Sequence, residues 1–402
     1  MKVSVLLPTR DGLKYLPYAI ESVQGQEASS LDWEVVVSDN NSDQDVTAYV
    51  DSLKDARVIV SRSDRVLPVT ENWNRALEMS TGDYVIMLGD DDCLMPGCMT
   101  TLERLISEFE NPDVIYSGAH LFAYPGAVPG SETGWVQPYG YASFLQAGSA
   151  GWVEPAETQR MVHEVARMKT RFGFNMQFAT LSRSFLNTLA PEGFRFKTPF
   201  PDYYAMCVFL LKARGLVACP QSLVLIGITP KSYGAFHASG RSSEGLRFLM
   251  AEPERGQQLP CSDAKTSKPL TLVPGNAIND NWLTAICQVA IEFPEGGLQV
   301  DRKSYLRRQA QALVEASLRT KSAAPVRQLR SFVSFGEWFS LITGAAVMLA
   351  IRMLTGPLRH VGFVARWRGR FLQFPDWHPD KISGFADPME VIAHLSKPER
   401  LS

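Results

Sequence analysis

The sequence predicts an α/β fold with a mostly parallel sheet, followed by a helical, basic C-terminal region. Three observations carry that expectation. Short apolar runs alternate with helix-spaced apolar residues over residues 1–125. Three of those runs end in polar turns. Charge is also split unevenly. Residues 301–371 hold thirteen Lys and Arg against three acids (Asp301, Glu315, Glu337), a surplus of +10, so the rest of a chain of net charge −2 carries −12. Of 402 residues, 45% are hydrophobic and 20% charged, which suffices for a full core. Forty basic against forty-two acidic residues exclude a wholly basic nucleic-acid binder and a highly charged disordered chain.

The elements follow in order. Val3 to Leu7 reads as a buried parallel strand. Leu13 to Val23 reads as a helix, with Leu16, Ala19, Ile20 and Val23 at helical spacing. Trp33 to Val37 is a second strand, and Val46 to Leu53 a second helix entered through the cap residues Asn41-Ser42-Asp43. Val58 to Val60 is a third strand. Thr70 is placed to cap a helix from Glu71 to Met79, and Tyr84 to Leu88 is a fourth strand. Pro125 to Gly140 reads as a loop, 155–169 as a helix, and Phe200 to Leu211 as a loop entering a helix. Six cysteines without a CxxC pair have the spacing of neither a zinc site nor a disulfide framework, which points to a reducing, cytoplasmic setting. Met1-Lys2 runs directly into a strand, so no secretory signal is expected.

In the tail, Trp338 to Ile351 is fourteen residues without a charge. A spanning helix needs about twenty. Arg352, Arg359, Arg366, Arg368 and Arg370 then alternate with Leu354, Leu358, Phe363, Trp367 and Phe371. This mixture suits a helix lying in a membrane interface. A membrane span and a buried helix followed by a solvated basic face stay open beside it.

Polar residues gather after the strands as Pro8-Thr9-Arg10-Asp11-Gly12, Ser38-Asp39-Asn40-Asn41-Ser42 and Gly89-Asp90-Asp91-Asp92. Ligands of open α/β sheets bind outside the carboxyl ends of the strands. Three adjacent aspartates repel one another, and a hard divalent cation relieves that cost. An exposed acidic turn is the plainer alternative.

At these residues the chain resembles the family 2 glycosyltransferases of the GT-A fold. The matching stretches are Val3 to Arg10, Val35 to Ser42, and Asn72-Trp73-Asn74-Arg75-Ala76-Leu77 leading through Thr81-Gly82-Asp83-Tyr84 to Asp90-Asp91-Asp92. The resemblance implies a GT-A type single α/β/α nucleotide-binding domain, and with the composition of the linker and the charge of the tail it divides the chain as follows. Residues 1–250 form the transferase domain, with a nucleotide-sugar-binding half at 1–125 and an acceptor and catalytic half at 126–250. A linker at 251–275 and a helical, basic region at 276–402 with membrane contact through 332–371 complete it. The implied donor is a nucleotide-diphosphate sugar, with a UDP-sugar favoured. Pro8, Thr9, Arg10, Asp39, Asn72, Asp90 and Asp92 would bind it, with Asp39 on the base or ribose. Asp91, with Asp92, would hold Mn²⁺ or Mg²⁺. Gly89 stands where the family commonly has the first Asp of its motif, so the division of roles among the three aspartates follows from Pro96 as anchor. Asp202, in Phe200-Pro201-Asp202-Tyr203-Tyr204, is the implied general base of an inverting transfer, with helix capping as its plain alternative. Arg62, Arg65 and His237 are further candidates for phosphate, each weighed against an ordinary surface role. The implied activity is transfer of a sugar to a hydroxyl of a glycan, plausibly lipid-linked, in cell-surface polysaccharide assembly at the cytoplasmic face of a membrane. Two rivals remain: a donor-binding or scaffold subunit without turnover, and a sugar nucleotidyltransferase.

Overall fold

A computed structural model describes residues 1–402 apart from 28, 130, 170, 251, 253–255, 358–379 and 398–402, and apart from the side chains of 237 and 238. The first apolar runs form β1 (Lys2–Thr9), β2 (Asp32–Asp39), β3 (Val58–Arg62) and β4 (Tyr84–Met87). They pair in parallel in the order β3-β2-β1-β4. The register sets Val5 between Val35 and Ile86, all buried, because helices cover the sheet. These helices are α1 (Leu16–Gln24), α2 (Val46–Ser52) and α3 (Val69–Met79). Strand order reverses at β1, so the gap between β1 and β4 is a topological switch point.

Two caps differ from expectation. Asp45, not the 41–43 run, caps α2 by accepting the Ala48 N–H at 2.9 Å. Thr70 lies inside α3, and its hydroxyl donates to the Thr198 carbonyl at 2.6 Å. The freed Ser42 instead hydrogen-bonds Asp39 in the site below.

Past β4 the sheet becomes mixed. β5 (Cys93–Leu94), α4 (Cys98–Glu108), β6 (Val114–Ala123), β7 (Gly134–Tyr139), β8 (Gly151–Val153), α5 (Pro155–Val165), β9 (Ala179–Ser182), α6 (Arg183–Thr188), α7 (Pro201–Lys212) and β10 (Leu216–Ile228) follow in order. β9 runs antiparallel between β4 and β6, and β10 runs parallel to β6. β7 occupies part of the stretch expected to be a loop. Its backbone pairs with β6, as Val136 with Phe122, and that ladder overrides the local Gly and Pro signal.

Short helices α8 (Tyr233–Ala238) and α9 (Ser242–Leu249) come next. The expected linker contains a hairpin, β11 (Gln258–Ser262) with β12 (Pro269–Thr271). Cys261 in it is disulfide-bonded to Cys287. This corrects the reading of six unpaired thiols: the partners meet only because the hairpin packs on α10 (Ala277–Glu292). Helices α11 (Arg302–Thr320), α12 (Ala324–Gln328) and α13 (Phe335–Thr355) form the C-terminal region. That region is not wholly helical. β13 (Ile382–Phe385) adds antiparallel to β7, and α14 (Pro388–Leu395) packs behind it, because the β7 edge offers unpaired backbone groups.

Candidate functional site

The carboxyl ends of β1, β2 and β4 open on one cleft. Pro8, Thr9 and Arg10 enter it from β1, Asn40 from β2, and Asp90 and Asp91 from the turn after β4. The Thr9 hydroxyl donates to Asp90 Oδ2, bridging β1 and β4 across the switch point. Asn72 and Trp73 form a wall from α3. Asn72 is buried and locked there: its Nδ2 donates to the Ser38 carbonyl at 3.0 Å, and its Oδ1 accepts from the Ser38 hydroxyl at 2.9 Å. Arg75 Nη1 donates to the same Oδ1 at 3.2 Å.

The opposite wall comes from the far end of the domain. After β10, Thr229, Lys231 and Ser232 face the acidic turn. The Ser232 hydroxyl donates to Asp91 Oδ2 at 2.7 Å. Lys231 Nζ donates to the Asp11 carbonyl at 2.9 Å, and its charge acts on Asp90. Phe248 and Leu249 of α9 close one side, and Arg10 holds them there. Its Nη1 donates to the Phe248 carbonyl at 3.0 Å, and its guanidinium lies 4.8 Å from that ring's centre.

The three aspartates divide. Asp90 and Asp91 line the cleft and Asp92 does not. Asp92 is 1% exposed. Its Oδ2 accepts the Gly89 N–H and the Gln177 Nε2 at 2.6 Å, and its Oδ1 accepts the Gly227 N–H at 2.8 Å. Asp92 thus fixes the turn and lies outside the cleft lining, whereas the sequence reading sets it on donor and metal. Burial, then repulsion from Asp91, pushes the Asp90 carboxyl up to about 7. The same causes lift Asp92 to about 7, and burial raises Asp91.

Asp39 is likewise turned inward. It is fully buried. Its Oδ1 accepts from the Ser42 N–H at 3.0 Å and hydroxyl at 2.5 Å, and its Oδ2 pairs with Arg62 Nη1 at 2.9 Å. It does not line the cleft, whereas its neighbour Asn40 does. Asn40 in turn is held by Leu67, donating to its carbonyl at 2.9 Å and accepting its N–H at 2.7 Å. Arg62 is thereby used as Asp39's partner, and Arg65 pairs loosely with Glu71 at 4.0 Å on the surface. The His237 side chain lies outside the described residues.

Asp202 stands at the second position of α7, after Phe200 at the cap and Pro201. It is no N-cap. Its Oδ1 accepts the Tyr203 N–H at 3.0 Å, and burial pushes its carboxyl up to about 7. It sits outside the cleft lining, beside Phe200 and Tyr203, which belong to a small apolar cluster with Tyr233 and Leu246. Phe200 packs edge-on against Tyr233, 5.0 Å between ring centres, next to Ser232. The Asp202 charge acts on Tyr139, whose hydroxyl donates to Asn175 Oδ1 at 3.2 Å.

Sequence reasoning missed Asn40, Thr229, Lys231, Ser232, Phe248 and Leu249. The polar turn after β10 obeys the same strand-end rule as the others, so recognising β10 as a strand would have found Thr229 to Ser232. Nothing local marks Phe248 or Leu249.

The family model described as Glycosyl transferase family 2 matches residues 4–148, which span β1 to β7 and the acidic turn. Among curated proteins, the chain is 34% identical over 111 residues to a GalNAc(5)-diNAcBac-PP-undecaprenol beta-1,3-glucosyltransferase of Campylobacter jejuni, covering 27% of this chain and 35% of that protein. It is 27% identical over 109 residues to abequosyltransferase RfbV of Salmonella typhimurium, covering 26% and 33%. The chain thus spans about a third of the length of these relatives. Among solved structures, S. aureus TarS 1–349 in complex with UDP-GlcNAc is similar at 15% identity and a TM-score of 0.47, over 89% of this chain and 92% of that one. With the family match and the β3-β2-β1-β4 half-sheet, the fold is GT-A-like.

Proposed function

We propose, from the premise that residues 4–148 belong to glycosyl transferase family 2, that the chain moves a sugar from a nucleotide-diphosphate donor to a hydroxyl of a lipid-linked glycan. The reaction belongs to cell-surface polysaccharide assembly at a membrane. The single observation that carries this reading is the convergence of Thr9, Asn40, Asp90 and Asp91 with Lys231 on the cleft at the switch point. The names of the two curated relatives, both sugar transferases and one acting on an undecaprenol-linked substrate, supply the acceptor class.

Among the described residues no group of three or more His, Cys, Asp or Glu is placed to hold a metal ion, so Asp90 and Asp91 would supply two carboxylates and the donor's phosphates and water the remaining ligands. Burial first, then repulsion between the two, raises the Asp90 carboxyl. When bound, Mn²⁺ or Mg²⁺ supplies Lewis-acid stabilisation of the departing diphosphate. Asn40 and Pro8 sit where the nucleoside end would lie, between β1 and β2. Lys231 offers a second positive charge toward the diphosphate. Trp73 and Leu67 give the cleft an apolar wall.

Transfer proceeds by a single displacement with inversion. The acceptor oxygen bonds to the anomeric carbon as that carbon's bond to the diphosphate oxygen breaks, and the acceptor proton passes to the Asp202 carboxylate, which stands outside the cleft lining on α7 and so is met on the acceptor's side rather than the donor's. An ordinary pKa near 3.8 would make Asp202 a weak base. Its elevation to about 7 brings its basicity near neutral pH, where general-base catalysis is efficient. The reading is tested by thermal shift of the full chain with UDP, GDP, dTDP and CMP sugars, each with Mn²⁺, Mg²⁺ or chelator. A ligand at a hundredfold excess over its dissociation constant stabilises by about 2.7 kcal/mol. One nucleotide class should stand out, require metal, and be lost in Asp91→Ala. No shift with any donor, together with no transfer to a lipid-linked glycan, would overturn the proposal. NMR of the product's anomeric configuration tests inversion.

A further inference from the structure

Far along the chain, β13 returns to the main sheet. It adds to the β7 edge with Ile382 opposite Val136 and Phe385 opposite Gly134. α14 then opens on its own cap. Asp387 Oδ1 accepts the Glu390 N–H at 3.0 Å, and Glu390 Oε2 accepts the Ala386 N–H at 2.7 Å. These bonds satisfy donors that a helix start leaves open, so the helix is specified locally. Its seat is specified too. A Cβ on Gly134 would meet the Phe385 carbonyl at 2.6 Å and the Phe122 ring at 2.7 Å. Glycine lets strand and ring close together there.

The unit does not pack on the main core. Phe385, Val391 and Ile392 share a separate buried cluster with Phe122, Tyr124 and Tyr15. Two members of that cluster reach the acidic turn. The Tyr124 hydroxyl donates to the Asp91 carbonyl at 3.2 Å, and the Tyr124 backbone N–H donates to the Ile228 carbonyl at 3.0 Å. Tyr15 lines the cleft and meets Tyr124 edge to face, with ring centres 4.8 Å apart. The Phe122 ring lies 4.7 Å from the Tyr124 ring.

Tyr15 also ties the β1 turn to the aspartates. Its N–H donates to the Gly12 carbonyl at 2.8 Å, and Gly12 lies so close to Asp90 that a Cβ there would strike the carboxyl. Tyr124 thus holds the turn at Asp91, and the Gly12–Tyr15 turn packs against Asp90. Adjacent carboxylates repel one another, so such a turn needs holding from outside. Both tyrosines rest on the cluster that the C-terminal unit completes.

We propose that the β13–α14 unit is part of the donor site: packed with Tyr15 and Tyr124, it holds the Asp90–Asp91 turn in place for the donor, with Tyr124 as the positioning residue. What the turn binds rests on the reading above; the coupling itself does not. Hydrogen exchange of the full chain, read by mass spectrometry over residues 87–95, tests the coupling without a ligand. Tyr124→Phe deletes one hydroxyl and should speed exchange of the turn about fivefold. Val391→Ala trims a fully buried side chain of α14 and should speed it about tenfold, while β2 and β3 exchange as in wild type. Both changes act along one chain of contacts, so the double variant should match Val391→Ala rather than the product of the two. In melting scans with UDP, GDP, dTDP and CMP sugars, each with Mn²⁺, the donor that shifts wild type should shift both variants less at equal concentration.

Turn exchange unchanged in both variants would overturn the proposal. So would equal acceleration in β2 and β3, which means lost stability alone. Rates that multiply in the double variant would give the C-terminal unit another route and overturn it as well. A full donor shift in both variants would show that the placement of the turn is immaterial to the donor, with the same consequence. If no sugar shifts wild type while turn exchange responds as stated, the transferase reading fails and the coupling stands.

Discussion

Asp202 is a carboxyl whose burial is a cost that catalysis can use. In the unfolded chain it titrates near 3.8, and in the fold near 7. Between those values the native state holds a proton that the unfolded chain has released. Its contribution therefore destabilises the fold progressively as pH rises through about 4 to 7. Asp202→Asn removes that cost. The variant should be more stable than wild type at pH 8, on the order of 1–3 kcal/mol after allowance for partial exposure, and equal to it near pH 4 by denaturant titration. Turnover should fall about 10²- to 10⁴-fold, and the rise of wild-type kcat with pH around 7 should vanish in the variant. Asp91 and Asp92 separate in the opposite sense. Asp92 takes three hydrogen bonds in a buried site. Asp92→Ala strands those donors and should cost about 2–4 kcal/mol of stability by chemical denaturation. Asp91→Ala should leave stability nearly intact and abolish metal-dependent nucleotide binding by calorimetry.

At the scale of elements, the site is a meeting of strand ends. β1 and β4 place Thr9 and Asp90 together, and β10 brings in the Thr229–Ser232 turn from the other half of the sheet. The approach of β10 to the acidic turn is close enough to require glycine. A Cβ on Gly227 would strike the Asp91 carbonyl. Gly227→Ala must displace the turn or the strand, so it should cost about 1–3 kcal/mol by thermal melting. It should also weaken nucleotide binding, although residue 227 itself touches no ligand. The β1–β4 elements were legible from sequence because each is a local apolar period followed by polar residues. β7 was not, since Gly134 and Pro138 mark a loop locally and only pairing with β6 makes it a strand.

The whole molecule is closed by contacts far apart in sequence. β13 returns to the edge of the sheet that β1 began, and the hairpin of β11 and β12 is pinned to α10 by Cys261–Cys287. A cross-link closing 26 residues stabilises by about 3 kcal/mol, mainly by constraining the unfolded chain. Adding reductant should therefore lower the melting temperature of wild type by several degrees, and Cys261→Ser should melt at the reduced value whether or not reductant is present.

The sequence by itself determined the α/β class, the strands and helices of the first half, and the place of the site. Those depend on apolar period and on polar residues that follow strands, both local properties. It also marked Asp90, Asp91, Thr9 and Asn72 as belonging to one cleft through their resemblance to a family. Only the tertiary structure decided which carboxylates face that cleft. Asp39 and Asp92 were turned away by Arg62, Ser42, Gln177 and Gly227, donors that no local pattern links to them. Tertiary structure also supplied Lys231, Phe248 and the disulfide. Each rests on an approach between segments whose sequence separation conceals it, and burial, charge pairing and chain topology settle such approaches together.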